Sequence, residues 1–153
     1  MWATDVYCGE RQTEGAPRLP AVSNDEKTNS GKPRTVIIED EFFVAWDLQS
    51  SLRDLNFTVC EIANNAESAL DTAVNYDAEL LLADVNLGGG PDGIEAVRRI
   101  LEYRHVAVVF ITAYTDETNL KRIKAVAPDA LILSKPVSIG PLISTIKKLF
   151  PRL

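Results

Sequence analysis

The chain has little sulfur and little imidazole. Of its 153 residues two are cysteine, Cys8 and Cys60, far apart and without a CxxC spacing. That gives no basis for a zinc knuckle or a disulfide framework, and idle or buried thiols are the expectation. A single histidine, His105, falls in an expected loop between a helix and a strand, so no histidine-rich metal site can be assembled. Long apolar runs are also missing. The longest, Leu80-Leu81-Leu82-Ala83 and Ala107-Val108-Val109-Phe110-Ile111, are strand-sized, far short of the ~20 residues that span a bilayer. The N-terminus lacks the apolar stretch of a signal peptide, which makes the cytoplasm the default compartment and leaves no membrane partner expected. Positive charge is outnumbered: 16 Lys and Arg against 22 Asp and Glu give a formal net charge of -6. A surface that grips nucleic acid through its phosphates needs clustered Lys and Arg. Nucleic acid is therefore not the expected partner, and other proteins are.

What remains is an ordinary globular composition, 46% hydrophobic and 25% charged, in a chain long enough for one domain with a real core. Residues 1–33 hold Pro17, Pro20 and Pro33, several Gly and many small polar residues without a sustained apolar period. They read as a polar, flexible extension, the alternative being an added strand or cap around Trp2, Val6 and Tyr7. The folded domain is expected over residues 34–153.

Within it, β-like and helical periods alternate. Strands are expected at Thr35–Glu39, Thr58–Ile62, Glu79–Asp84, Val106–Thr112 and Ala130–Leu133. The first helix runs to about Leu55, with Val44, Leu48, Leu52 and Leu55 as its inner stripe. The second runs from Ala66 to about Val74 behind the cap candidates Asn64 and Asn65, and the third from Gly93 to about Tyr103 with Ile94, Val97 and Leu101 inward. The fourth spans Asp116–Val126, capped by Thr115 or Asp116. The fifth spans Ser138–Phe150, with Ser138 as cap and Leu142, Ile143, Ile146, Leu149 and Phe150 inward. Continuous apolar strands joined by helical crossovers imply an α/β fold, a parallel sheet covered by helices on both faces.

Ligands of such sheets bind beyond the carboxyl ends of the strands. There the chain places Glu39-Asp40-Glu41, Asp84, Thr112-Ala113 and Ser134-Lys135-Pro136. Taken singly, a strand-end Asp is a helix cap or a solvated loop residue, and a Lys-Pro is a turn. Together they have parts in one reaction. Crowded carboxylates repel one another, and a divalent cation of the magnesium type, with its taste for hard oxygen ligands, removes the conflict. Asp84 can then attack a phosphoryl group to form an acyl phosphate. Lys135 neutralises phosphoryl oxygens and Thr112 donates a hydrogen bond to one.

These residues resemble the receiver domain of two-component response regulators. The motifs are Val36-Ile37-Ile38-Glu39-Asp40-Glu41, Leu82-Ala83-Asp84-Val85-Asn86-Leu87, Pro91-Asp92-Gly93-Ile94-Glu95-Ala96, Phe110-Ile111-Thr112-Ala113 and Ser134-Lys135-Pro136. The resemblance implies a flavodoxin-like (βα)5 doubly wound sheet of strand order 2-1-3-4-5. It implies Asp84 as the phosphorylated aspartate, Asp40 as direct ligand of Mg2+ (or Mn2+), Glu39 as its water-mediated partner, and Asn86 as the donor of a backbone carbonyl to the metal. Thr112 is then the switch hydroxyl, Lys135 the phosphate-binding lysine, and the Lys135–Pro136 bond is expected to be cis.

Two departures from the family pattern stand out. Gly88-Gly89-Gly90-Pro91 replaces the usual Met-Pro after the phosphoacceptor, and reads as a permissive loop. Ile132 occupies the place of the aromatic switch residue, leaving Tyr114 as the nearest aromatic that could switch or gate water access. Phe42 and Trp46, four apart and off the inner stripe of the first helix, suggest a partner site where the family docks its phosphodonor, or else pack under a neighbouring segment. Lys121, Arg122 and Lys124, with Lys147 and Lys148, mark the region of the fourth helix, fifth strand and fifth helix that serves receivers as an output or homodimer face. No output domain is expected to follow, so a stand-alone regulator is the expectation. It would be phosphorylated by a histidine kinase or histidine phosphotransfer protein and would signal by binding an unknown downstream protein. The alternatives are a phosphate sink for a shared kinase, a receiver fold that binds without phosphorylation, and an aspartate-nucleophile phosphatase. The last is disfavoured because Asn86 stands where such enzymes carry a general acid.

Overall fold

The structure, a computed structural model, describes residues 31–113 and 116–152. In chain order the elements are β1 (Arg34–Ile38), α1 (Phe42–Asp54), β2 (Thr58–Ala63), α2 (Ala66–Asn75), β3 (Leu80–Asp84), α3 (Gly93–Leu101), β4 (Ala107–Thr112), α4 (Glu117–Val126), β5 (Leu131–Ser134) and α5 (Ile139–Leu149). The strands form one parallel sheet in the order β2-β1-β3-β4-β5. This is the flavodoxin-like, doubly wound α/β architecture expected from the sequence. The expected extension over residues 1–33 lies, up to residue 30, outside the described residues.

Sequence dictates which strands are central. β3 is buried at every residue, and β1 and β4 at all but their first. Only a strand covered on both faces tolerates such continuous apolar runs. β2 has exposed positions along its length, as an edge strand should. Alternation along the strands sends side chains to two cores. Val36, Ile38, Leu81, Ala83 and Phe110 pack with Ala69 and Ala73 of α2, Ile94, Val97 and Ile100 of α3, and Ile123 of α4. Ile37, Leu80, Leu82, Val109 and Ile111 pack on the other face with Ala45, Leu48 and Leu52 of α1 and Leu142 and Ile146 of α5.

The helix faces are rotated slightly from those read in the sequence. In α1 the buried residues are Ala45, Leu48 and Leu52, with Val44 and Leu55 half-buried. A stripe of strict four-residue steps drifts about 40° per step around a helix of 3.6 residues per turn. A face using steps of three and four stays on the sheet, and small Ala45 lets the helix sit close. In α3 the interior takes Ile100, three residues after Val97, and leaves Leu101 half-buried. In α5, Thr145 joins Leu142 and Ile146 in the interior while Ile143, Leu149 and Phe150 are half-buried. The caps follow side-chain chemistry. Asn65 accepts from Ser68 N, Asp92 from Glu95 N and Asp116 from Asn119 N, at 2.9, 3.0 and 2.9 Å. Ser138 takes the capping position of α5 without a side-chain hydrogen bond, and Thr115 lies outside the described residues.

Candidate functional site

β1 and β3 are adjacent and in register, so their carboxyl ends bring Glu39, Asp40 and Glu41 beside Asp84. β4 follows on the other side of β3, with Ile111 opposite Asp84 and Thr112 one residue further. β5 pairs Ser134 with Thr112, which delivers Lys135 to the same rim. The Lys135 amide donates to the Thr112 carbonyl at 3.0 Å, fixing the start of the following loop, and the Lys135–Pro136 bond is cis. Asp40, Glu41, Asp84, Asn86 and Lys135 line a cleft of about 250 Å³.

Lys135 is the electrostatic centre. Its Nζ lies 2.8 Å from Asp84 Oδ2 and 2.9 Å from Glu39 Oε2, with Glu41 Oε1 at 3.7 Å. Burial works against its positive charge. The hydrogen bond to Asp84 and the close charge of Glu39 outweigh that, and hold the ammonium above its usual range. Glu39 is buried beneath the cleft. Burial pushes its carboxyl above the ordinary range, more than Lys135 and the Glu41 amide pull it down. That amide donates to Glu39 Oε1 at 3.1 Å. Glu39 Oε2 is a buried atom with no well-aligned hydrogen-bond donor, so the approach of Lys135 is an ion-pair contact.

The remaining acids are braced by main chain. Asp84 Oδ1 accepts from the Asn86 amide at 3.1 Å, and Asp40 Oδ2 from the Gly88 amide at 2.8 Å. A side chain at residue 88 would meet Asp40 Oδ2 at 2.8 Å, so glycine there permits the close approach. Gly93 is a second such position: its amide donates to the Val85 carbonyl at 2.9 Å, and a Cβ would lie 1.7 Å from the Asp84 carbonyl oxygen. The glycine that opens α3 thus sets that helix against the carboxyl end of β3. Sequence reading did not single it out; the signal available was the Asp92-Gly93 cap pair itself.

Glu39, Glu41 and Asp84 each offer a carboxylate oxygen within 4.8 Å of the others. Opposite ligands of a magnesium ion at ~2.1 Å stand about 4.2 Å apart. An all-oxygen donor set with a buried, poorly satisfied oxygen at its floor fits a hard divalent cation, Mg2+ or Mn2+. Of the expected set, Glu39 and Asp84 belong to this cluster, while Asp40 stands at the cleft with one oxygen on Gly88. Glu41, seen in the sequence only as part of the acidic run, was not counted as a ligand.

Phe42 and Trp46 stand exposed in α1 with ring centroids 5.9 Å apart, and Phe43, 84% exposed, meets Phe42 edge-on at 5.5 Å. Ile132 is half-buried, in register with Phe110 and packed on the core shared by α2, α3 and α4. Tyr114 lies outside the described residues. Two of the expected surface cations are paired: Lys121 with Glu117, and Arg122 with Asp92, both at 2.7 Å.

A family model described as the response regulator receiver domain matches residues 35–147. The chain belongs to the response regulator receiver domains. The receiver is 37% identical over 82 residues to the phyllosphere-induced regulator PhyR of Methylorubrum extorquens, across 53% of this chain and 31% of that protein. It is 30% identical over 116 residues to the transcriptional regulatory protein PdtaR of Mycobacterium tuberculosis, across 75% of this chain and 56% of that protein. It therefore spans between about a third and just over half of these relatives. Among solved structures, the receiver domain of Erythrobacter litoralis PhyR superposes with a TM-score of 0.68 at 27% identity, covering 79% of this chain and 92% of that one. The signal receiver domain of a modulated diguanylate cyclase from Desulfovibrio desulfuricans does so with 0.72 at 29% identity, covering 79% and 95%. The receiver accordingly works in phosphorelay signalling, in which such domains take phosphoryl groups from histidine kinases. No helix among its described residues is long and apolar enough to cross a membrane.

Proposed function

We propose that Asp84 is the phosphoacceptor of a cytoplasmic switch, the receiver domain being residues 34–153. The observation that carries this reading is the 2.8 Å contact between Lys135 Nζ and Asp84 Oδ2 at the wall of an acidic cleft. A cation that counters an aspartate at rest is placed to counter phosphoryl oxygens afterwards. Asp84 attacks the phosphorus of a phosphohistidine on a histidine kinase or histidine phosphotransfer protein. A P–O bond forms, the P–N bond breaks, and the imidazole leaves carrying the electron pair and takes up a proton. Thr112, buried at the end of β4, supplies the hydroxyl that follows the new phosphoryl group. A bound Mg2+ or Mn2+ supplies charge neutralisation for the carboxylates and the incoming oxygens. Glu39, Asp40, Asp84 and the Asn86 carbonyl would hold it. The chemistry is confined to the chain's own phosphorylation and dephosphorylation, and Asn86 offers no carboxylic proton for turnover of other phosphate esters.

The output is binding to a downstream protein, driven by about two added negative charges. The face made by α4, β5 and α5 is the candidate surface for this partner or for a homodimer, and the exposed Phe42 and Trp46 on α1 are candidates for phosphodonor docking. Incubation with a small phosphodonor and magnesium tests the core of the proposal. Intact mass rises by one phosphoryl group in the wild type and not in Asp84→Asn; a gain that survives this substitution refutes the assignment.

A further inference from the structure

We infer that Glu41 is a third carboxylate of the cation site, placed at its mouth above the buried Glu39. The inference rests on the receiver reading and concerns a residue that reading leaves without a role. Glu41 occupies the N-cap position of α1, where a side chain ordinarily turns back to the free amides of the first turn. It makes no such cap bond. Its Oε1 is directed instead across the cleft, 3.7 Å from Lys135 Nζ, and shares with Glu39 and Asp84 a cluster of oxygens within 4.8 Å.

A second observation points to a ligand at this spot. Glu39 Oε2 is buried and has no well-aligned donor, its close neighbour being the shared Lys135 ammonium at 2.9 Å. One ammonium serves three carboxylates there, so two negative charges are left over around a buried oxygen. A divalent cation matches that surplus in charge and in donor type. Asp40 is differently employed: its Oδ2 is bound to the Gly88 amide, which ties the loop after β3 to the site. Division of labour follows. Asp40 fixes the loop while contributing its remaining oxygen, Glu39 forms the floor, and Glu41 adds charge from the solvent side. Because Glu41 is 68% exposed, it contributes without perturbing the core when it is replaced.

The test is cation binding by the unphosphorylated full chain, read by calorimetric titration with Mg2+ and by loss of the free Mn2+ paramagnetic signal. Removing one charge about 5 Å from a divalent ion in a partly solvated site is expected to weaken binding roughly tenfold in Glu41→Gln. Glu41→Asp, which keeps the charge, recovers most of the affinity, and Asp47→Asn, elsewhere on α1, leaves it unchanged. Equal affinity in wild type and Glu41→Gln, with loss in Asp84→Asn, overturns the role of Glu41 and leaves the receiver reading intact. Absence of cation binding in the wild type overturns the cation site itself.

Discussion

Replacing Gly93 with alanine tests how the fold holds Asp84. The added Cβ would stand 1.7 Å from the Asp84 carbonyl oxygen, 2.8 Å from its carbonyl carbon and 3.3 Å from Val85 Cα. A tolerable carbon–oxygen contact is ~3.3 Å, so α3 and the end of β3 must separate by about 1.6 Å. Both partners are main chain, which has no rotamer by which to escape. Overpacking of this kind costs about 1–3 kcal/mol. The displacement also breaks the 2.9 Å bond from the Gly93 amide to Val85, worth another ~1 kcal/mol. A loss of about 2–4 kcal/mol is a large part of the 5–15 kcal/mol that holds a typical domain. Urea unfolding followed by circular dichroism measures it, and phosphorylation by a small donor should slow in parallel because the Asp84 backbone moves. Gly140 is the control: open space surrounds it in the first turn of α5, so alanine there should stabilise by about 0.5 kcal/mol. A Gly93→Ala protein less than about 1 kcal/mol weaker than wild type, phosphorylated at the normal rate, would show that this contact does not hold Asp84 in place.

Three further outcomes follow from the surface of α3 and α4 and from Lys135. Asp92 both caps α3 and pairs with Arg122 of α4 at 2.7 Å. Asp92→Ala should therefore cost about 1–2 kcal/mol and Arg122→Ala only ~0.5 in denaturant titrations, with faster amide exchange along α4 in both. Hydrogen bonds from Arg98 and then Arg99 lower the Glu95 carboxyl from 4.5 to about 2. A depressed carboxylate stabilises the fold above its unfolded value, and that contribution is lost as pH falls through about 2. NMR titration of Glu95 should return toward the ordinary range when both arginines are replaced. Lys135 is held above its usual 10.5 by Asp84 and Glu39 against the opposing effect of burial. Its contribution is complete below that pH and is lost as pH rises through the elevated value. Lys135→Met should remove this alkaline dependence in urea titrations, and a dependence equal to wild type would contradict it.

Much of the fold was legible because the strands announce themselves. Leu80-Leu81-Leu82-Ala83 and Ala107-Val108-Val109-Phe110-Ile111 have nowhere to sit except mid-sheet, and both are buried but for half-buried Ala107. Helix faces were less legible, since Val44 and Ala45 differ by only 100° of rotation and the choice is made by how closely the helix approaches the sheet. At the site, strand ends located Asp84, Thr112 and Lys135, because register converts sequence position into spatial position. What sequence did not reveal was the direction of side chains within an acidic run. Glu39, Asp40 and Glu41 are neighbours in the chain, yet one lies under the cleft, one binds the Gly88 amide and one faces Lys135. Nor did it reveal that Gly93 touches the backbone of residue 84, a contact made only when α3 packs down.

The most direct measurement asks which atom carries the phosphoryl group. Phosphorylated protein is reduced with borohydride, which converts an aspartyl phosphate to homoserine, and the fragments are sequenced by mass spectrometry. Homoserine is expected at residue 84 alone, dependent on added Mg2+ or Mn2+. Homoserine at residue 40, or a phosphoryl group that resists reduction and sits on a hydroxyl, would contradict it.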